Sequence, residues 1–376
     1  MKNIIEIKGL NSIISTTRRN KYVLNDIIFS IPKGKIIGII GESGSGKTQL
    51  MHAITGSQNH SPGVVSGEVI YDLPPPVNIY PSKNEFIDKF SVYRTFDDKL
   101  RKRNADIFDR RVESKVKSMR GEMFGIIPQD CGSFLNPYWN IETFFKKVYI
   151  RQNNSKKYDQ LKFNSFLKHH IEKFDLEFDI IRNKYPHELS GGEAQRVMNA
   201  FVFAHNPKVL FVDEGTTGLD VSRQKKVISE LKKMIENRND DTAIVLISHD
   251  IAFLNHLVDV YFVMYSGFLL EAIHNKDRLL EKESLHPYTA DLISSLKPSR
   301  SKSITSNKSV SSESTGFTEK PEGCPYRMKC RLFESGDADL RNKCSTDIPP
   351  LISHDTKKEV IAVDSDWLRC WAHNSG

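Results

Sequence analysis

Nothing in the 376 residues approaches the ~18 consecutive apolar residues that a membrane-spanning helix needs. The opening MKNIIEIKGLNS also lacks the apolar core of about 7–15 residues and the small-residue cleavage site of a secretory signal. The chain is therefore expected to stay where thiols are reduced, which disfavours disulfides. Cysteine is scarce, with five residues, and no two are separated by the two to four residues typical of zinc ribbons and fingers. There is no internal repeat. No long run carries one sign of charge: Lys and Arg number 54 against 47 Asp and Glu, a formal +7. The densest basic cluster, 100–120, is interrupted by Asp106, Asp109 and Glu113. That pattern suits a solvated helix face better than a nucleic-acid stripe, so no nucleic-acid partner is expected. With 39% hydrophobic and 27% charged residues the composition is that of a soluble globular protein. Its length suits about two domains.

Short apolar runs bounded by turn residues read as buried strands: Ile36–Ile40, Met123–Ile127, Val209–Val212, Ile244–Ile247 and Tyr261–Met264. Ile4–Ile7, broken by Glu6, reads as an edge strand. Helix-like stretches, Thr48–Thr55 and Ser222–Glu236 among them, lie between these runs. Such alternation predicts an α/β fold with a largely parallel sheet. Residues 137–186, rich in Lys, Phe and Asn, read as a helical insertion; their aromatics Tyr138, Trp139, Phe144, Phe145 and Tyr149 suit a helical core. Residues 72–118, opened by Pro74-Pro75-Pro76, read as an extra and largely helical segment. Residues 297–322 have linker composition, and 323–376 form a tail with four of the cysteines.

Gly41-Glu42-Ser43-Gly44-Ser45-Gly46-Lys47-Thr48 fits G-x-x-x-x-G-K-[ST] at every fixed position, between an expected strand and an expected helix. Glycines let backbone N–H groups turn inward around phosphate oxygens, and the helix N-terminus adds partial positive charge. Lys47 would reach the β- and γ-phosphates of a nucleoside triphosphate, and Thr48 would ligate Mg²⁺. The run Val209–Val212 ends in Asp213-Glu214. Side chains alternate along a strand, so Asp213 can face the metal while Glu214 faces an attacking water as candidate general base.

Leu189-Ser190-Gly191-Gly192-Glu193-Ala194-Gln195-Arg196 resembles the signature motif of ATP-binding cassette (ABC) proteins. Gln129 resembles that family's Q-loop glutamine, Gly218-Leu219-Asp220 its D-loop, and His249 in Ile-Ser-His-Asp its switch histidine. The resemblance implies a P-loop ATPase domain over 1–296 that binds ATP and Mg²⁺. Gln129 and Asp213 would complete the Mg²⁺ environment, and His249 would touch the γ-phosphate or the attacking water. Ser190, Gly191, Gly192 and Glu193 would close over ATP held by a facing subunit. Tyr22 is the candidate to stack on adenine, with Arg18 or Arg19 as alternatives.

The motifs Gly41–Lys47, Ser133-Phe134-Leu135-Asn136-Pro137 and His286-Pro287-Tyr288-Thr289 look like those of the oligopeptide/dipeptide importer group. Cys324-Pro325, Cys330, Cys344, Pro349-Pro350-Leu351 and Cys370 look like its C-terminal extension. Spacing alone leaves those four cysteines open to metal ligation or to life as plain thiols; the resemblance implies a [4Fe–4S] cluster in a small cysteine-containing C-terminal domain. Pro128, Cys131 and Gly215 depart from the group's usual residues without removing a catalytic group. The implied function is an ATP-hydrolysing importer subunit on the cytoplasmic face of the membrane. Its implied partners are a second cassette subunit, two transmembrane permease subunits and an extracellular solute-binding protein. A nickel or metal-chelate importer shares these motifs and is the alternative. A soluble cassette acting on ribosomes or DNA would carry two cassettes or long coiled coils, and no heptad run separates Lys47 from Asp213.

Overall fold

The computed structural model describes residues 2–15, 20–58, 62–80, 110–153, 159–213, 229, 232–233, 235–239, 241–249, 251–255, 257–280, 284–295, 322–356 and 365–373. They form two compact units, 1–117 with 247–376 and 118–246.

The first unit opens with two long strands, β1 (Asn3–Ser15) and β2 (Asn20–Pro32). β3 (Ile36–Ile40) comes next, then helix α1 (Lys47–Ile54), β4 (Pro62–Tyr71) and β5 (Val77–Asn78). β1, β2, β4 and β5 build an antiparallel sheet in the order β2-β1-β4-β5. The sequence pattern predicts a sheet edge at Ile4–Ile7. Instead β1 lies between two partners, and Ile5, Ile7, Leu10 and Ile13 are buried. The alternation is hidden because the register slips between Ile7 and Leu10, around Gly9 with φ 57°, and such bulges break a period-two pattern. Of the extra segment 72–118, the structure describes β5 and a helix over 110–117; residues 81–109 lie outside the described set. Val112 and Val116 on that helix are buried, and a Cβ on Gly56 would come within 2.9 Å of each, so the helix packs where α1 ends.

In the second unit β6 (Phe124–Ile127) leads into helices α2 (Ile141–Gln152), α3 (Gln160–Glu172) and α4 (Gly191–Ala204). Each has a side-chain N-cap, from Asn140, Asp159 and Ser190. The expected helical insertion is thus formed by α2, α3 and the short helix Phe178–Ile181. Phe144 and Phe145 are core residues that meet Phe201 of α4 edge-on, and Tyr149 packs on Phe163. Tyr138 is 86% exposed and takes no part in that core. β7 (Val209–Asp213) and β8 (Ala243–Ser248) complete the unit's sheet in the order β8-β7-β6, with β6 and β7 parallel. The helix-like stretch Ser222–Glu236 lies largely outside the described residues.

Back in the first unit, β9 (Val260–Tyr265) runs parallel to β3 and turns through Ser266 and Gly267, φ 45° and 81°, into β10 (Phe268–Ile273). Helix α5 (Pro287–Ser295) comes after it, and 296–321, nearly all of the expected linker, lies outside the described residues. The cysteine tail then folds helix α6 (Ala338–Thr346) and two-residue strands β11 (Ile352–Ser353) and β12 (Trp367–Leu368). β12 adds antiparallel to β10, so this unit's second sheet reads β11-β12-β10-β9-β3. Trp367 is fully buried, and the Arg369 guanidinium donates to the Asp26 carboxylate at 3.0 Å and to the Pro349 carbonyl at 3.2 Å. The tail therefore shares its unit's core, as expected for a segment too short to bury one of its own.

Candidate functional site

β3 delivers the phosphate loop from a fully buried strand. Gly38 lets it approach Tyr261, Val258 and Leu254, whose side chains a Cβ would meet at 3.1–3.3 Å. Gly41, Gly44 and Gly46 have φ of 156°, 79° and 103°. A Cβ on Gly41 would strike the Met264 carbonyl, and one on Gly46 would sit 2.8 Å from the Val23 carbonyl. These positions require glycine for conformation and for space. Gly46 caps α1 without a side-chain hydrogen bond, and the first turn holds no acid, a terminus suited to an anion. The Lys47 Nζ donates to the Gly41 and Glu42 carbonyls, both at 2.8 Å, and to Ser45 Oγ at 3.4 Å. Its ammonium thus lies across its own loop. Ser43 is exposed and Thr48 is half-buried in the first turn of α1. Tyr22, half-buried on β2, neighbours the Val23 carbonyl that abuts Gly46. Arg18 and Arg19 lie outside the described residues.

His249 lies just past β8 and belongs to the same unit as the loop, half-buried. Asp213, Gln129 and the signature segment belong to the second unit. Asp213 is the last residue of β7, and the register Ile127↔Val212 brings the ends of β6 and β7 level. Gln129, two residues past β6, therefore emerges beside Asp213 at the carboxyl end of a parallel pair, where α/β sheets place ligands. Both are oxygen donors, the chemistry that Mg²⁺ requires. Glu214 and Asp220 lie outside the described residues, as does Gly215.

Cys131, where proline is usual, has a structural account. Its thiol donates to the Pro128 carbonyl and to Gln195 Oε1, both at 3.2 Å, tying the Gln129 loop to α4. Burial first and the Asp130 carboxylate second push that thiol up to about 12, so it stays a neutral donor. Nothing in the spacing marks this contact, which joins residues 64 positions apart.

The signature segment forms a capping box at the start of α4. Ser190 Oγ accepts from the Glu193 N–H at 3.3 Å, Glu193 Oε2 accepts from the Ser190 N–H at 2.8 Å, and Lys184 Nζ donates to Glu193 Oε1 at 2.9 Å. Ser190 and Gly191 are exposed, and a Cβ on Gly191 would meet nothing within 4 Å. The helix N-terminus is thereby shaped and left open. Ser190, then Lys184, holds the Glu193 carboxyl down to about 2. A depressed carboxylate stabilises the fold above its ordinary 4.5 and loses that contribution as pH falls toward 2. Glu193→Ala is therefore expected to lower stability at pH 7 by about 0.5–1 kcal/mol, discounted for exposure. Glu193→Gln should flatten the acid limb of a melting-temperature profile between pH 4.5 and 2, and an unchanged limb would remove the carboxylate from this role.

Cys324, Cys330, Cys344 and Cys370 are buried free thiols, and burial raises each pKa above its ordinary value. Cys324 also feels Cys370, Cys344 and Cys330, so the four share a neighbourhood. Among the described residues, no group of three or more His, Cys, Asp or Glu is arranged to hold a metal ion. The donors suit iron and sulfide, and the arrangement does not form the ligand set.

A sequence model of the ABC transporter family matches residues 24–217, and one for the oligopeptide/dipeptide transporter C-terminal region matches residues 273–336. The oligopeptide transport ATP-binding protein AppD of Bacillus subtilis is 28% identical over 365 residues, covering 96% of each chain. OppD of Escherichia coli, named likewise, is 26% identical over 332 residues, 87% of this chain and 85% of its own. The solved structure of cbiO1 from Clostridium perfringens, part of the ABC transporter complex cbiONQ, superposes with a TM-score of 0.52. It covers 75% of this chain and 93% of its own at 23% identity, a likeness of fold. Among the described residues no helix is long and apolar enough to cross a membrane.

Proposed function

The chain belongs to the ABC transporter family and is an ATP hydrolase of that kind, and from that premise we propose that it is the ATP-binding subunit of an importer of oligopeptides or dipeptides. The observation that carries the reading is the phosphate loop, with three glycines at positive φ, an open helix N-terminus and the Lys47 ammonium laid across it. The match of 273–336 and the names of the relatives favour peptides over nickel as cargo.

In this reading the loop amides of Gly41–Gly46 surround the phosphates, Lys47 pairs with the β- and γ-phosphates, and Tyr22 stacks on adenine. By the family resemblance Thr48, Gln129 and Asp213 would hold Mg²⁺, which would neutralise charge on the phosphates. Glu214 takes the proton of the attacking water, and His249 fixes the γ-phosphate end of that geometry. The exposed start of α4, with Ser190 through Glu193, serves ATP held by a second cassette subunit. ATP would join the two subunits and its hydrolysis part them, a γ-phosphate-driven change of contacts. Two permease subunits and an external solute-binding protein complete the importer, holding this chain at the cytoplasmic face of the membrane.

The domain limits in this reading are a cassette over 1–296, with a helical subdomain at about 137–186 and an extra segment at about 72–118, a linker over 297–322 and the tail 323–376. The tail thiols Cys324, Cys330, Cys344 and Cys370 are proposed to hold a [4Fe–4S] cluster as a staple. Their shared neighbourhood is the observation that supports this. Iron and acid-labile sulfide in anaerobically purified protein test it, and absence of both ends the idea.

Affinity purification from mild-detergent extracts, with mass spectrometry of the proteins that co-purify, tests the assembly. Two multi-spanning proteins, a second cassette and an external binding protein are expected. Recovery of ribosomal or DNA proteins without membrane subunits would overturn the importer.

A further inference from the structure

The His286-Pro287-Tyr288-Thr289 motif has no part in the chemistry above, yet the structure lays it against the back of the phosphate loop. Tyr288, in the first turn of α5, is 1% exposed. Its hydroxyl accepts the Glu42 N–H at 2.8 Å, inside the loop. On the other flank the Gly267 N–H donates to the Ser45 carbonyl at 2.8 Å, and the Gly267 carbonyl accepts from Asn25. The loop backbone is thus held from behind at two points, one of them a side chain.

The Tyr288 ring is itself held. It packs against Tyr265 of β9, centroids 4.7 Å apart, and against Tyr326 of the cysteine tail at 5.3 Å. Tyr326 meets Tyr265 edge-on at 5.2 Å, and its hydroxyl donates to Asp291 of α5 at 2.6 Å. Tyr326 lies between Cys324 and Cys330, and the Cys324 N–H donates to the Cys344 carbonyl at 2.8 Å. A continuous path of packing therefore runs from the tail's cysteines through two tyrosine rings to an amide of the phosphate loop.

We propose that Tyr288 is a positioning residue for the phosphate loop, and that the cysteine tail, through Tyr326, fixes Tyr288 in place and so sets the affinity for ATP. The inference rests on the reading of residues 41–48 as the ATP site. A buried ring with a hydroxyl is suited to the task. It presents one acceptor at a fixed height, and its neighbours allow it little motion. Without that acceptor the Glu42 peptide is free to turn, and the inward-facing amides lose their common orientation.

The test uses the full-length chain. Tyr288→Phe keeps the ring and deletes the one oxygen. ATP affinity is expected to fall about three- to tenfold, the range for one lost hydrogen bond between neutral groups. The KM for ATP should rise equally in the assembled transporter, with kcat within about twofold of wild type. A purely structural role would instead lower the unfolding midpoint measured without nucleotide and leave the KM alone. Tyr326→Phe loses the Asp291 bond but keeps the ring, and should bind ATP as wild type does. Tyr326→Ala opens a gap beside Tyr288 and should weaken ATP binding in the same direction as Tyr288→Phe. Wild-type affinity in Tyr288→Phe, where Lys47→Ala binds about 100-fold more weakly or worse, would overturn the proposal and leave the ATP site standing. Wild-type affinity in Tyr326→Ala would overturn the tail's part in it. ATP binding by Lys47→Ala at wild-type strength would overturn the site itself, and this inference with it.

Discussion

Lys47→Ala is expected to reduce ATP affinity by about 100-fold or more and to leave no measurable hydrolysis, the largest effect of any single change in the loop. The Nζ is already poised by the Gly41 and Glu42 carbonyls at 2.8 Å, so its charge stands over the loop before nucleotide arrives. Alanine removes that charge from beside the β- and γ-phosphates. The helix α1 itself should survive, because alanine is a good helix former and Leu50, Met51, Ala53 and Ile54 keep its buried face. Titration with a fluorescent ATP analogue, together with phosphate release, separates binding from turnover. Lys47→Arg keeps the charge on a wider planar group and should recover little, since two carbonyls hold an ammonium-sized donor in the native loop. Wild-type phosphate release by Lys47→Ala would contradict the site.

Glu214→Gln is expected to do the reverse, keeping ATP affinity and lowering hydrolysis by about 10²–10⁴-fold, the worth of a positioned general base. Glu214 directly follows Asp213, the residue that closes β7. Gln preserves shape and removes the proton acceptor. ATP should then accumulate unhydrolysed, and the two cassette subunits should remain joined, seen as a nucleotide-dependent rise in mass by size exclusion. Hydrolysis within tenfold of wild type would move the base elsewhere, with His249 the next group to test. The contrast between these two variants, one failing to bind and the other failing to turn over, gives each residue its own role.

How much of this was legible depended on how local the signal was. Ile36–Ile40 is legible to the residue, because a short apolar run before a glycine loop allows little else. Val209–Val212, Ile244–Ile247 and Tyr261–Met264 came within one residue at each end for the same reason. The antiparallel sheet of β1, β2, β4 and β5 was almost invisible. Its strands are bulged and carry polar residues such as Asn11 and Ser66, which bond each other at 2.9 Å across β1 and β4. β10 escaped because Glu271 interrupts its apolar run. That carboxyl is fully buried, raised by desolvation, and served by His354 and the His286 N–H, partners distant in sequence. In the candidate site, the glycine loop was legible in residue type and spacing, and Ser190–Glu193 in its resemblance to the signature motif. The Cys131 bridge and the Tyr288 contact were not, since each joins segments tens to hundreds of residues apart.

Uptake of a labelled oligopeptide by cells that lack this chain, or carry it as wild type or as Lys47→Ala, tests the importer function most directly. The expected result is that uptake disappears with the chain, returns with the wild type and does not return with Lys47→Ala, while nickel uptake is the same throughout. Peptide uptake that persists without the chain, or nickel uptake that falls in its place, would contradict it.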